Sequence, residues 1–218
     1  MDADGHTNPK TAAEAFSAVL ATLNVRHAFI GGFAVNMLGH RRYTVDIDVL
    51  VEVEVADILS LRASVVAADP RFIMVQSKLV FLPGAIPIET LPIGQLGLPM
   101  VLYAMKLEDS TIPILRPGIL VLTKIKRCVQ YIDSTRPRSR AKLEQDLADI
   151  RFLLRWLGEH DQKVDFINYS CASTDRLYQA TKKLAEYWRT GKEDTSTELL
   201  ASVLEDGDLE LVMGTADC

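Results

Sequence analysis

The sequence predicts an α+β fold, with a mixed β-sheet flanked by helices and followed by a helical C-terminal segment. Up to about Leu120, short apolar runs alternate with glycine and proline, which is typical of strands joined by turns. After Leu120, apolar residues recur with the period of an α-helix. The clearest stripe has spacings of four, three, four and three residues and consists of Leu143, Leu147, Ile150, Leu154 and Leu157.

This change of pattern divides the 218 residues into three parts. We expect an α/β core over residues 1–118, a helical region over 119–190 packed on that core, and an acidic tail over 191–218 that is flexible. From Lys192 onwards there are eight acids and one base, a charge of -7, so the rest of the chain has a charge of -5 + 7 = +2. The body of the protein can therefore bind an anion although the whole chain is acidic.

The order of helices and strands follows from the local patterns. Gly39 is expected to end a short helix. Pro87 and Pro92 restrict their strand to a sheet edge, or else lie at the ends of the strand. The expected elements are a helix over about 11–23, a strand over 27–30, the short helix to Gly39, a strand over 45–53, a helix over about 55–68, two strands over 71–84 and 85–92, another pair of strands over 100–107 and 112–117, and helices over 143–157, about 174–188 and, as one short piece with a loose end, after Gly191.

Cysteine usage and hydropathy exclude several classes of protein. The three cysteines, Cys128, Cys171 and Cys218, are far apart and form no Cys-x-x-Cys motif, which argues against a disulfide framework or a zinc site. The N-terminus is polar and acidic, unlike a signal peptide. No apolar run approaches the roughly 20 residues of a membrane span. We therefore expect a cytoplasmic protein that does not bind a membrane.

Two alternating aspartates are the first candidates for chemistry. In "TVDIDVLV" the period of two places Asp46 and Asp48 on one face of a strand, and Val45, Ile47 and Val49 on the other. Two neighbouring carboxylates repel each other unless a cation lies between them. Mg²⁺ prefers oxygen ligands and usually shares one or two carboxylates with substrate phosphates. An isolated Asp-x-Asp motif is common, so it needs support from elsewhere in the sequence.

Support comes from the glycine pair Gly31-Gly32, which follows a strand and opens a helix. Without Cβ atoms, the backbone can approach a ligand closely, and the N–H groups at a helix start favour an anion. A glycine pair can also be only a tight packing turn. Together with the aspartates, it predicts a site for a nucleoside triphosphate and Mg²⁺.

The stretch "FIGGFAV…RRYTVDIDVLV" resembles the signature of the nucleotidyltransferase superfamily, which has the DNA polymerase beta-like fold. That signature has a glycine pair followed, after roughly a dozen residues, by two aspartates around an apolar residue. Here 46 - 32 - 1 = 13 residues separate Gly32 from Asp46. The pattern Arg42, Thr44, Asp46, Asp48 is similar to the minimal and abortive-infection-toxin-like branch. The resemblance implies a nucleotidyltransferase-type sheet.

The resemblance also implies a third carboxylate on a later strand. Glu89, in "AIPIETLP", stands where the family usually has aspartate. Glutamate is one methylene longer, so it could complete a metal site or take the proton from an attacking hydroxyl. It could equally mark a weakened or redirected site. The alternative is an acid on an edge strand, in solvent.

A lysine and a later charged element extend the resemblance into the helical region. Lys124 matches a lysine that faces the triphosphate in the family. Arg140, Lys142, Asp146 and Asp149 match a second element less closely. For Lys142, Asp146 and Asp149 we favour a solvated helix face with charge pairs four residues apart.

The resemblance implies metal-dependent transfer of a nucleoside monophosphate from an NTP to a hydroxyl acceptor. The acceptor could be a small molecule, a protein or an RNA end. One alternative is a regulatory or toxin-like module that binds NTP without turnover, and another is the same fold acting on a small metabolite. The implied ligands of Mg²⁺ or Mn²⁺, also the catalytic residues, are Asp46, Asp48 and Glu89, and the implied nucleotide contacts are Gly31, Gly32, Arg42, Thr44 and Lys124.

Overall fold

The structure is a computed structural model that describes residues 8–170 and 173–214. The chain divides into two compact units, Met1–Arg116 and Pro117–Cys218. Cys171 and Cys218 lie outside the described residues, as does the end of the tail beyond residue 214.

The first unit contains three α-helices and seven strands within its described residues. Helix α1 begins at Pro9, where the side chain of Asn8 accepts a hydrogen bond from the backbone N–H of Lys10 at 2.9 Å. A short 3-10 helix, Val55–Asp57, leads into α3. The elements are α1 (Pro9–Thr22), β1 (His27–Ile30), α2 (Gly31–Met37), β2 (Ile47–Val51), α3 (Ile58–Ala68), β3 (Phe72–Val75), β4 (Lys78–Phe81), β5 (Ile86–Pro92), β6 (Ala104–Met105) and β7 (Ile114–Leu115).

The described strands form one mixed sheet in the order β3-β4-β5-β2-β1-β7-β6. Strand β2 pairs antiparallel with β1 and parallel with β5, and β1 pairs parallel with β7. The remaining neighbours are antiparallel. The predicted α+β class with a mixed sheet is confirmed.

Strand β5 lies inside the sheet, between β4 and β2, so the prediction of an edge strand was wrong. The alternative was right, because Pro87 is the second residue of the strand and Pro92 is the last. Ile88 of β5 pairs with Leu79 on β4 and with Ile47 on β2. A short strand can thus be central while both of its prolines lie near its ends.

The segment expected as one strand over 71–84 is a hairpin of β3 and β4. Gln76 and Ser77 connect the strands with φ of 47° and 66°. Two consecutive positive φ values characterise the tight hairpin turns that match the twist of the flanking strands. The residues are not the glycine or asparagine that usually signal such a turn, and the sequence therefore did not reveal it.

Helices α1 and α3 contact each other, and α3 also contacts β3. Phe16 of α1 packs against Phe72 of β3, with ring centroids 5.7 Å apart. Arg62 of α3 donates a hydrogen bond from Nε to Oγ1 of Thr90 on β5 at 2.8 Å. Because side chains alternate along a strand, the neighbour Glu89 lies on the opposite face of the sheet from Thr90.

The second unit is helical within its described residues. Its elements are α4 (Pro117–Cys128), α5 (Pro137–Glu159), α6 (Asp175–Thr190), α7 (Asp194–Ser202) and α8 (Asp206–Met213). The stripe predicted on α5 is buried along its length. No helix in the described part of the chain is long and apolar enough to cross a membrane.

The described part of the acidic tail is folded, which corrects the expectation of a flexible tail with one short helix. Helices α7 and α8 both contact α6, and α7 also contacts α5. Leu200 of α7 and Val212 of α8 are fully buried. The acidic residues dominate the charge count of the segment, but these apolar side chains provide a core-facing side.

Candidate active site

The glycine turn joins β1 directly to α2. Ile30 ends the strand in extended conformation, and Gly31 opens the helix with φ of +65°, a left-handed value that favours glycine. A Cβ on Gly31 would lie 1.9 Å from Oδ2 of Asp48. The absence of a side chain at residue 31 therefore lets the carboxylate of Asp48 rest against the turn.

Asp48 and Glu89 are neighbours across the two central parallel strands. The β2–β5 register pairs Asp48 with Glu89, and the β1–β2 register pairs Asp48 with Ile30. Adjacent strands are about 4.8 Å apart, and register partners project to the same face. The face is the one opposite Thr90 and α3. Two carboxylates thus share one face, next to the glycine turn.

Asp46 immediately precedes β2 and is exposed. Thr44 donates from Oγ1 to the backbone oxygen of Asp46 at 3.2 Å and to its Oδ1 at 3.3 Å. Thr44 therefore orients the Asp46 carboxylate. Val45, predicted on the apolar face, is instead 60% exposed, because regular pairing of the strand starts only at Ile47.

Arg42 lies over the second glycine of the turn. A Cβ on Gly32 would lie 1.7 Å from Nη2 of Arg42 and 2.6 Å from its Cζ. The backbone of Arg42 is held by α2, because Nδ2 of Asn36 donates to its carbonyl oxygen at 2.8 Å. The structure thus brings Arg42 to the glycine pair, and Asn36 is a contributor that the sequence pattern did not single out.

The acidic side chains of the site have the donor atoms that a hard divalent cation prefers, but few of them lie together. Asp46, Asp48 and Glu89 offer only oxygen donors, which Mg²⁺ and Mn²⁺ prefer. Among residues 8–170 and 173–214, however, no three acidic, histidine or cysteine side chains lie close enough together to form a metal-binding group. Since Mg²⁺ usually takes one or two carboxylates and completes its shell with water and phosphate, the pair Asp48 and Glu89 is a sufficient protein contribution.

Lys124 lies in the second unit and is buried in an ion-pair cluster. Its Nζ donates to Oδ2 of Asp149 at 2.7 Å and is 3.6 Å from Oδ1 of Asp146. Arg127 donates from Nε to Oδ2 of Asp146 at 2.9 Å. Burial lowers the pKa of Lys124, while the two carboxylates favour its charged form. The predicted contact of Lys124 with a triphosphate stays a prediction.

Asp146 and Asp149 are fully buried, so the interpretation as a solvated helix face was wrong for both. Lys142 is exposed, and Asp146 contacts Lys124 and Arg127 rather than Lys142. The sequence contained a usable signal: the cations lie three residues apart on α4, and the acids lie three residues apart on α5. Residues at that spacing share a helix face, so two such pairs on facing helices can meet.

Comparison with known proteins identifies the fold. No protein-family model matches the chain, and no curated protein matches it. Among solved structures, it is similar to the crystal structure of an antigenic nucleotidyltransferase-like protein from Paracoccidioides brasiliensis, with a TM-score of 0.66, 16% identity, and coverage of 92% of this chain and 95% of that one. The nucleotidyltransferase-type fold implied by the sequence resemblance is confirmed.

A second solved structure is similar at a lower level. It is the solution structure of the antibiotic-resistance factor ANT(2'')-Ia, with a TM-score of 0.46, 12% identity, and coverage of 87% of this chain and 97% of that one. This likeness is too distant to support an inference about the present chain.

Proposed function

We propose that the protein transfers a nucleoside monophosphate from an NTP to a hydroxyl acceptor, with release of pyrophosphate. The observation that carries this proposal is the placement of Asp48 beside Glu89 on one face of the sheet, with the Asp48 carboxylate against Gly31. The fold is consistent with this chemistry, since it is nucleotidyltransferase-like.

In this proposal Asp48 and Glu89, with Asp46, hold Mg²⁺ or Mn²⁺. When bound, such an ion neutralises charge on the attacking and leaving oxygens of an in-line displacement. The carboxylate of Glu89 is exposed, and it either completes this metal site or, alternatively, accepts the proton of the attacking hydroxyl. Thr44 keeps Asp46 oriented through its hydrogen bonds.

The phosphates of the donor are held by the glycine turn and by cations. Gly31 and Gly32 have no side chains, so the backbone can approach the nucleotide closely. The guanidinium of Arg42 can bind phosphate oxygens in a bidentate manner. Lys124 remains a proposed phosphate contact. In that role its ammonium gives up its hydrogen bond to Asp149 and binds a phosphate oxygen instead.

A specific observation favours a second candidate, an NTP-binding module without turnover. Glutamate stands at residue 89, where the resembled family has aspartate. A thermal shift caused by Mg-ATP, without transfer of label to any acceptor, would favour that candidate. A reaction on a small metabolite that needs no NTP and survives EDTA would favour a redirected enzyme.

The proposal is tested by incubating the protein with each α-labelled NTP and Mg²⁺ or Mn²⁺, alone and with cell lysate. We expect label to move to the protein or to a lysate component in a reaction abolished by EDTA. The same incubation distinguishes a protein, an RNA end and a small molecule as acceptor, because each carries the label to a different fraction.

The expected compartment is still the cytoplasm, on the basis of the separated cysteines.

A further inference from the structure

We propose that Arg42 is the resident cation of the ligand-free site. Its guanidinium covers the glycine turn, balances Asp48, and has to leave this position before a metal-bound nucleotide can bind. The inference rests on the proposed function, because it concerns the site at which the nucleotide is expected. It assigns Arg42 two successive positions rather than one fixed contact with phosphate.

The first observation is the space that the guanidinium fills. A Cβ on Gly32 would meet three guanidinium atoms of Arg42, with Nη2 at 1.7 Å, Cζ at 2.6 Å and Nε at 2.8 Å. The guanidinium therefore lies directly on the backbone of Gly32. A phosphate that approaches this backbone from the same side requires the space that Arg42 now occupies.

The second observation concerns charge. The carboxylate of Asp48 rests on Gly31 and the guanidinium of Arg42 rests on Gly32, so opposite charges lie on consecutive residues of one turn. Glu89, the register partner of Asp48, adds another negative charge to the same face. A cation at this place lowers the repulsion between the two carboxylates. A bound metal ion would have the same effect.

The third observation is that the main chain at Arg42 is anchored. Nδ2 of Asn36 donates to the carbonyl oxygen of Arg42 at 2.8 Å, and the N–H of Arg42 donates to the carbonyl oxygen of His40 at 3.1 Å. The anchor directs the long side chain of Arg42 back over the turn. The exchange between the two positions thus requires rotation of a flexible side chain and leaves the loop in place.

These observations imply effects of opposite sign on metal and nucleotide. A divalent cation at Asp48 is repelled by the guanidinium on the neighbouring glycine, so Arg42 weakens binding of the metal alone. Once the guanidinium has moved, it is a good partner for phosphate oxygens, so Arg42 strengthens binding of the nucleotide. An arginine that only binds phosphate would show the second effect without the first.

The test measures binding, not activity, and uses the full-length protein. Mn²⁺ affinity without nucleotide is measured by titration calorimetry or by the signal of free Mn²⁺ in electron paramagnetic resonance. Arg42→Gln is expected to bind Mn²⁺ roughly tenfold more tightly than the unchanged protein, and metal-free ATP roughly tenfold more weakly, the size of effect expected for one charge at short range. Arg41→Gln removes the same charge from the exposed neighbouring residue and is expected to change either affinity by less than about twofold.

A second variant displaces the guanidinium without removing it. Gly32→Ala places a methyl group where Nη2 now lies, and the far end of a flexible side chain can move away at low cost. Gly32→Ala is therefore expected to raise the Mn²⁺ affinity in the same direction as Arg42→Gln. Circular dichroism of each variant verifies that the fold is kept.

The outcomes separate this inference from the proposed function. If Mn²⁺ binds, but equally tightly to the unchanged protein and to Arg42→Gln, the role of Arg42 as resident cation is overturned while the metal-dependent function stands. If Mn²⁺ binds to none of the proteins, with or without ATP, both proposals are overturned. Tighter Mn²⁺ binding by Arg42→Gln, but not by Arg41→Gln, supports the inference.

Discussion

Asp48 on β2 and Glu89 on β5 are register partners in adjacent parallel strands. This pairing is long-range in sequence, yet it places both carboxylates on one face of the sheet beside Gly31. The longer side chain at residue 89 reaches further from the sheet than aspartate would. The pair therefore defines the face on which we expect catalysis.

Substitution of Glu89 tests whether its carboxylate takes part in transfer. Glu89→Gln keeps the size of the side chain and removes its charge and its basicity. We expect nucleotidyl transfer to fall by about 10² to 10⁴, the range for loss of a general base. The rate of label transfer at saturating NTP is the measurement.

Two further variants control for that result. Glu89→Asp keeps the carboxylate and is expected to retain most of the transfer, because its register partner Asp48 shows that an acid of this length fits the same face. Glu108→Gln makes the same chemical change at another exposed residue of the first unit and should leave transfer unchanged. Undiminished transfer by Glu89→Gln would contradict the role of Glu89.

The two glycines of the turn are expected to respond differently to alanine. Gly31→Ala forces a left-handed backbone on a residue with a Cβ, which costs about 1–2 kcal/mol, and the new methyl would also displace Asp48. In Gly32→Ala, only the tip of Arg42 has to move, so we expect a loss below about 1 kcal/mol. Urea unfolding measures the free energy of unfolding of both variants. Equal decreases in Gly31→Ala and Gly32→Ala would contradict this account of the turn.

The buried ion pair of the second unit is expected to be sensitive to loss of one partner. Lys124→Met leaves Asp149 buried without its ammonium partner, and we expect the free energy of unfolding to fall by about 3–5 kcal/mol. Lys183→Met is the control, because Lys183 pairs with Asp133 at the surface, where a loss below about 1 kcal/mol is expected. A loss at Lys124 as small as that at Lys183 would show that the buried pair does not stabilise the fold.

His27 is expected to make stability depend on pH. Its Nδ1 is 3.1 Å from the carbonyl oxygen of Val25 and its Nε2 is 2.8 Å from Oγ of Ser17, an arrangement that suits a neutral ring. Burial, with a smaller contribution from the charge of Lys106, lowers the pKa of His27 below 6.5. The unfolded chain therefore binds the proton more readily than the folded protein.

The sign follows from this difference. The contribution of His27 to stability is present above pH 6.5 and is lost as the pH falls through the lowered pKa of the folded protein. Urea unfolding at a series of pH values should show a smaller decrease below pH 6.5 for His27→Gln than for the unchanged protein. The exposed histidine control, His160→Gln, should keep the original decrease, and identical curves for His27→Gln would contradict the assignment.

Local patterns in the sequence were sufficient to predict the glycine turn and the face of the strand on which Asp48 lies. Gly31 and Gly32 joined a strand to a helix as predicted, because a backbone turn between two short elements is encoded by its own residues. Asp48 also lies opposite the apolar residues Ile47 and Val49 of its strand, since alternation is a local property.

The failures concern features that depend on distant residues. Whether β5 is an edge or a central strand depends on which strands pair with it, and Pro87 restricts this choice without deciding it. Asp146 and Asp149 were predicted on a solvated face with charge pairs four residues apart on the same helix, but Lys124 on another helix supplies the compensating charge. The packing of α7 and α8 likewise depends on apolar surfaces offered by α6.

The most direct test of the central claim is the rate of α-label transfer by Asp48→Asn, compared with that of Asp109→Asn. Both variants replace a carboxylate by an amide of the same shape, but Asp109 is an exposed residue in the connection between β6 and β7. We expect Asp48→Asn to reduce transfer to background and Asp109→Asn to keep the unchanged rate. Transfer by Asp48→Asn at the rate of Asp109→Asn would contradict the assignment of the active site to the face shared by Asp48 and Glu89.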